Sequence, residues 1–267
     1  MSKWLAAGAI FGLSTATLYK FMTARVFDKN AVVAEPPFTS IVMCTLNEEN
    51  FIRDTLESLE DQNVRRKYPD NFELILIDSN SEDRTVEIAE SYGWTVFQAP
   101  RGKLTARHIG MEKAQGQVIV SVDADTYYPP NWLNLILGHF SGVQVVAVSA
   151  PRIGKPEEAG ILTVFSVWLA VVDIGPIGGM RLPGQSCAVR KEAYFEVGGF
   201  NLDINQLDVH EMVREEEIIF GIKLRRIGRV IVNWQAPVFT SARRCMFVGK
   251  GKKYREWTEA RLAGERF

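Results

Sequence analysis

The chain has 267 residues, 46% hydrophobic and 24% charged, with a formal net charge of -1. That composition belongs to a globular protein and argues against disorder, a fibrous repeat and a globally basic nucleic-acid binder. Cys44, Cys187 and Cys245 form no CxxC pair, and the three histidines show neither HxxxH nor HExxH spacing. A disulfide scaffold and a zinc site are both disfavoured, and a reducing compartment fits the thiols best.

Trp4 to Tyr19 carries no charge and lies between Lys3 and Lys20. Its sixteen residues span roughly 24 Å as a helix, and Lys20 can snorkel so that Phe21 and Met22 lengthen the apolar stretch. Trp4 and Tyr19 occupy the positions of interfacial aromatics. Lys20, Arg25 and Lys29 outnumber Lys3, which places the bulk of the chain in the cytoplasm. The expectation is a single-pass membrane anchor over residues 1–30. A cleaved signal with Ser14, Thr15 and Ala16 at its end is one alternative, and a packed or peripheral helix is the other. Residues 31–38, ending in Pro36 and Pro37, read as a linker.

Beyond the linker the pattern alternates. Ser40–Leu46, Phe72–Ile77, Thr95–Gln98 and Val118–Val122 are short apolar runs of strand length. Between them, Glu48–Gln62, Thr85–Tyr92 and Leu104–Ala114 have helical spacing. This order predicts a mainly parallel α/β sheet with its strand ends and following loops on one edge. Polar clusters fall on that edge: Asn47 to Glu49, Asp78 to Asp83, and Asp123-Ala124-Asp125. Ligands of open α/β sheets bind there. No GxGxxG follows a strand and no GxxxxGK[ST] occurs, so dinucleotide and P-loop cradles are not signalled.

Later elements are less regular. Gln144–Ala150 and Ser186–Val189 read as strands, Ile161–Val172 as a buried or interfacial helix, and Glu215–Ile227 as a helix with its acidic residues in the first turn. Val230–Val232 and Val238–Thr240 are expected to be edge strands. The tail over residues 245–267 is basic.

Two carboxylates two residues apart at a strand end suit a hard divalent cation, which favours oxygen ligands and keeps waters or substrate phosphates. The same pair also occurs in strand–DxD phosphohydrolases, where it comes near the start of the chain and not on a fourth strand. Glu215 to Glu217 alone would read as a solvated helix start. Arg243 and Arg244, with Lys250, Lys252 and Lys253, would read as a solvated or membrane-facing patch.

Five segments together carry a resemblance: TLNEEN (45–50), LILIDSNSEDRT (74–85), RGKLTARHIGMEKAQGQVIVSVDADTYYPPNWL (101–133), GQSCAVRKEAYFEVGGF (184–200) and EEEIIFGIKLRRIG (215–228). In this order the chain resembles a family 2 glycosyltransferase of GT-A fold over residues 39–244. The resemblance implies a Rossmann-like, mainly parallel sheet with flanking helices. It implies inverting sugar transfer from a UDP-, GDP- or dTDP-linked donor to a glycan, lipid-linked or protein hydroxyl, assisted by Mn²⁺ or Mg²⁺. By position it assigns Asp78, Lys103, Arg107, Asp123, Arg243 and Arg244 to the donor, and Asp123 and Asp125 to the metal. Gly184 and Gln185 fall to the acceptor, and Glu217, with Glu216 beside it, to the catalytic base.

Three positions depart from the family pattern. Ser79 replaces a second aspartate, His108 an asparagine, and Glu217 an aspartate. The run of three glutamates leaves the register of the base open by one residue. A catalytically inactive, membrane-tethered binding module of the same fold is the remaining alternative.

Overall fold

The computed structural model describes residues 17–30, 34–142, 144–159, 182–200, 209–241 and 243, with 159 and 209–216 described by backbone alone. Its centre is a seven-stranded sheet in the order β3-β2-β1-β4-β8-β6-β9. The strands are β1 (Thr39–Thr45), β2 (Phe72–Asp78), β3 (Thr95–Gln98), β4 (Val118–Asp123), β6 (Val145–Ser149), β8 (Cys187–Arg190) and β9 (Arg229–Val232). Along β1 every residue but Cys44 is buried, because both faces of the sheet are covered. Alternation divides those side chains: Ile41 and Met43 enter a core with Leu56, Tyr128 and Trp132. Val42 enters the opposite core with Ile77, Met111, Tyr194 and Phe220.

β1 to β4 are parallel as the alternation predicts, with β1 pairing both β2 and β4. The register sets Thr45 beside Asp78 and Cys44 beside Asp123, so three loops leave the sheet at one level. Their helices α1 (Ile52–Glu60), α3 (Thr85–Ser91) and α4 (Lys103–Lys113) cover the faces, while α2 (Asn63–Lys67) follows α1 directly. α4 sits so close that a Cβ on Gly110 would lie 2.3 Å from Val42 Cγ1.

β8 departs from the parallel pattern and runs antiparallel to both β4 and β6. Because it enters from the opposite end, Ser121 on β4 pairs with Cys187 at its start. The residues just before it, Gly184 to Ser186, therefore arrive at the same edge as the β1, β2 and β4 loops. The strand lies within the parallel set and carries chain to the site in the reverse direction.

A second, three-stranded sheet joins β5 (Thr126–Tyr127), β10 (Val238–Thr240) and β7 (Arg152–Gly154) in the order β5-β10-β7. β10 is thus its central strand and not an edge, whereas β9 lies at the edge of the large sheet. Ser241 N–H donates to the Asp125 carbonyl at 3.0 Å, which brings the chain after β10 to the Asp125 turn.

Two short helices, α5 (Trp132–Leu137) and α6 (Pro156–Ala159), precede α7 (Lys191–Glu196) and the long α8 (Val209–Ile227). α8 begins six residues before the expected start, so Glu215 to Glu217 lie nearly two turns inside it. The helix macrodipole acts within the first turn and has no hold on Glu217.

Residues 17–23 are helical, and the segment up to residue 30 is bound to the body. Met22 packs with Ile153 and Phe239, and the Val26 carbonyl accepts from Asn131 N–H at 2.9 Å. Among the described residues no helix is long and apolar enough to cross a membrane. Residues 1–16 of the expected anchor, the expected helix Ile161–Val172 and the tail over 245–267 lie outside the described residues.

Candidate active site at the strand ends

A cleft of about 180 Å³ opens where β1, β2 and β4 end, lined by Thr45, Glu48, Ser79, Lys103, Asp123 and Asp125 among others. Its loops are stapled together. Asn47 N–H donates to Ser81 Oγ at 2.9 Å, Glu48 N–H to Thr85 Oγ1 at 2.7 Å, and Glu82 N–H to Asn47 Oδ1 at 2.8 Å. Asn47 and Asn80 adopt φ of 54° and 63°, the left-handed region that asparagine tolerates better than most residues. Asp78 is 1% exposed. Its Oδ1 accepts from Ser81 Oγ at 2.5 Å and Thr45 Oγ1 at 3.2 Å, and its Oδ2 accepts from Ser81 N–H at 2.8 Å. The Asp78 carboxylate therefore shapes this loop from beneath.

An ion-pair chain runs inward from the cleft. Lys103 Nζ donates to Asp123 Oδ2 at 2.8 Å, and Arg107 Nη2 lies 3.6 Å from Asp123 Oδ1. Arg107 Nη1 then donates to Glu217 Oε1 at 3.0 Å, where Gly184 N–H also donates at 2.9 Å. Exposure falls along the chain, with the Lys103 and Asp123 side chains at 33% and 15% and Arg107 and Glu217 at 1% and 2%. Burial alone would lower the Arg107 pKa, but the Glu217 and Asp123 carboxylates outweigh it and hold the guanidinium above its ordinary range. Cys44 and Cys187 flank this chain, and burial raises their thiols to about 11 and about 12.

A second group closes the mouth. Arg243 Nη2 reaches Glu48 Oε1 and Oε2 at 2.6 Å each and Asp125 Oδ2 at 2.8 Å. Its guanidinium lies over Phe51, 4.2 Å from the ring centroid. Tyr128 joins the Asp123 turn to the Gly184 segment. Its hydroxyl accepts from Asp123 N–H and donates to the Gln185 carbonyl, both at 2.9 Å. Burial first, and the Asp123 charge second, push that hydroxyl well above the ordinary tyrosine range, so it stays protonated.

The structure thus gathers Asp123, Asp125, Lys103 and Arg243 around one cleft, with Arg107, Glu217, Gly184 and Gln185 behind it. Arg107 differs from the expectation in being enclosed between two carboxylates, away from the cleft wall. The side chain of Glu216 and all of Arg244 lie outside the described residues. Sequence reasoning missed Glu48 and Tyr128 as site residues. Both were visible in quoted motifs, NEE and YYPP, but only the distant pairing with Arg243 and with Gln185 gives them a role.

The family model described as glycosyl transferase family 2 matches residues 40–166. Among curated relatives, a beta-monoglucosyldiacylglycerol synthase of Nostoc sp. is 29% identical over 220 residues, 73% of this chain and 46% of its own length. Glycosyltransferase AglE of Haloferax volcanii is 26% identical over 117 residues, covering 41% of this chain and 37% of AglE. The chain spans less than half the length of these curated relatives. Among solved structures, a mannosyltransferase of Pyrobaculum calidifontis in complex with GDP-Man and Mn²⁺ superposes with a TM-score of 0.60. That match has 20% identity and covers 90% of this chain and 68% of the other. S. aureus TarS 1-349 in complex with UDP-GlcNAc superposes with a TM-score of 0.57 at 18% identity, covering 76% and 58%. The matched segment holds β1 to β4 and both aspartates of the β4 turn, so this part of the chain is similar to glycosyl transferase family 2, and the chain shares the fold of these solved structures.

Proposed function

We propose that the protein transfers a sugar from a nucleotide-diphosphate donor to an acceptor hydroxyl, with inversion at the anomeric carbon. The observation that carries this reading is the span of one guanidinium. Arg107 reaches both Asp123 at the cleft and Glu217 behind it, so a donor-side and a base-side carboxylate are held one side chain apart. The donors named with the superposed structures, GDP-Man and UDP-GlcNAc, support a nucleotide-sugar substrate.

The residues present fit a divalent cation of a particular kind. Asp123 and Asp125 offer hard oxygen ligands at the cleft, yet among the described residues no three His, Cys, Asp or Glu side chains gather into a closed cage. Such a set suits Mn²⁺ or Mg²⁺ sharing its coordination with donor phosphates and waters. When bound, the cation would supply charge to the departing diphosphate. Lys103 stands beside Asp123 for the same phosphates, and Arg243 provides a forked donor when it leaves Glu48 and Asp125. The loop over Asp78 receives the nucleoside, Gly184 and Gln185 border the acceptor, and Arg244 belongs to the donor side.

Glu217 takes the proton of the acceptor hydroxyl as its oxygen bonds to the anomeric carbon. The bond from that carbon to the diphosphate oxygen breaks, and its electron pair leaves with the nucleotide. Attack opposite the leaving group inverts the centre. The stretch before residue 17 attaches this domain to a membrane from the cytoplasmic side, a reading supported by its lack of charge after Lys3 and by the basic residues Lys20, Arg25 and Lys29 that follow. Residues 17–30 stay packed on the body. The test is release of nucleoside diphosphate from a panel of UDP-, GDP- and dTDP-sugars with Mn²⁺. Turnover of one donor class, lost in Glu217→Gln, is expected. No release from any donor, with or without glycan and lipid-linked acceptors, would contradict the proposal.

A further inference from the structure

We infer that Arg107 is a positioning residue for the Glu217 carboxylate, and that position 184 is glycine to leave room for that guanidinium. The inference rests on the reading of Glu217 as the base.

Two donors, Arg107 Nη1 and Gly184 N–H, converge on the single atom Oε1 of Glu217 at 3.0 and 2.9 Å. Two bonds to one oxygen fix the rotation of the carboxyl plane more firmly than either bond alone. The far end of the same guanidinium faces Asp123 at 3.6 Å, so the base is referenced to the carboxylate beside the donor cleft. Lys103 already partners Asp123 at its other oxygen. Loss of Arg107 therefore leaves Asp123 with Lys103 and removes from Glu217 Oε1 one of its two converging donors.

Gly184 has no backbone reason to be glycine, since it is absent from the positions of positive φ. Its reason is steric. A Cβ there would lie 1.9 Å from Arg107 Cζ and Nη2 and 2.1 Å from Nη1, far inside van der Waals contact. The backbone at 184 thus lies against the guanidinium plane while its N–H points to Glu217. Alanine at 184 must move Arg107, and with it Oε1, although both charges remain.

This geometry makes Gly184 and Arg107 one unit, and a double-mutant cycle reads that directly. Turnover, donor KM and thermal midpoint are measured for Glu217→Gln, Arg107→Met, Arg107→Lys, Gly184→Ala and Gly184→Ala/Arg107→Met. Glu217→Gln sets the scale, about 10²–10⁴-fold in kcat. Arg107→Met and Gly184→Ala should each lower kcat at least about 10-fold, with donor KM changed by less than about 3-fold, as expected when the loss is confined to the chemical step. Arg107→Lys should recover part of the loss. The double variant should turn over no more slowly than Arg107→Met and should melt no lower than Arg107→Met, because the clash is gone once the guanidinium is absent. Wild-type kcat in Gly184→Ala and Arg107→Lys, beside an inactive Glu217→Gln, would overturn the inference even if Arg107→Met does not fold. An active Glu217→Gln would instead overturn the base assignment, while the melting comparison still reports whether 184 and 107 share one space.

Discussion

Two groups of opposite charges meet at the β4 turn, and they differ in depth. The inner group, Asp123 with Arg107 and Glu217, ends at side chains that are 1% and 2% exposed. In the outer group the guanidinium is the exposed member, with Arg243 at 21% beside Glu48 at 8% and Asp125 at 10%. Inside, water cannot replace a lost partner, so removing one charge strands another. At the mouth, water, a cation or a phosphate can take the place of the guanidinium. The contrast assigns a fixed geometry to the inner group and exchange of partners to the outer one.

The largest expected effect comes from the inner group. Arg107→Met should lower unfolding stability by about 3–5 kcal/mol, because it removes the guanidinium that donates to the buried Glu217 carboxylate. Urea unfolding followed by circular dichroism measures it. A loss under about 1 kcal/mol would mean that the guanidinium contributes no more than an exposed ion pair does, and the contrast in depth would fail. Tyr128→Phe should cost about 1–3 kcal/mol, since the buried Asp123 N–H and Gln185 carbonyl both lose their partner. Arg243→Ala, the matching change at the mouth, should cost about 1 kcal/mol or less and should respond to added salt. If it destabilised as much as Arg107→Met, the two groups would not differ in kind.

The thiols sharpen the same comparison through pH. Burial raises Cys44 to about 11 and Cys187 to about 12 from an ordinary 9.0. The folded protein keeps these protons while the unfolded chain loses them, so stability should fall as pH rises from about 9 towards 11 and 12. In a Cys44→Ser/Cys245→Ser background, an aromatic disulfide reagent at pH 8 should leave the buried Cys187 thiol unmodified until urea unfolds the chain. Rapid modification of Cys187 under native conditions would show that the inner group is open to solvent.

Much of this was legible in the sequence, for reasons that can be stated. Covered parallel strands read as apolar runs, and β3 was bounded correctly because Thr95 to Gln98 lies between Trp94 and a proline-containing loop. Asp123 and Asp125 were legible because VIVSV delivers them to a strand end. The direction of β8 was not, since a strand's alternation is the same read from either end. The start of α8 was missed because the charged run at Arg214 to Glu217 looks like a helix beginning, while the turns before it carry little apolar periodicity. Glu48 and the enclosure of Arg107 depend on contacts spanning 195 and 110 residues, which local pattern does not encode.

The most direct test of the account is a calorimetric titration of nucleotide-sugar donor into the wild-type protein and Asp125→Ala, each with Mn²⁺ and with a chelator. The account predicts that Mn²⁺ tightens donor binding to the wild type. It predicts that Asp125→Ala loses that enhancement while its thermal midpoint is nearly unchanged, because Asp125 belongs to the exchangeable group. Equal metal-dependent affinity in both proteins would contradict the assignment of the Asp123–Asp125 turn as the donor site.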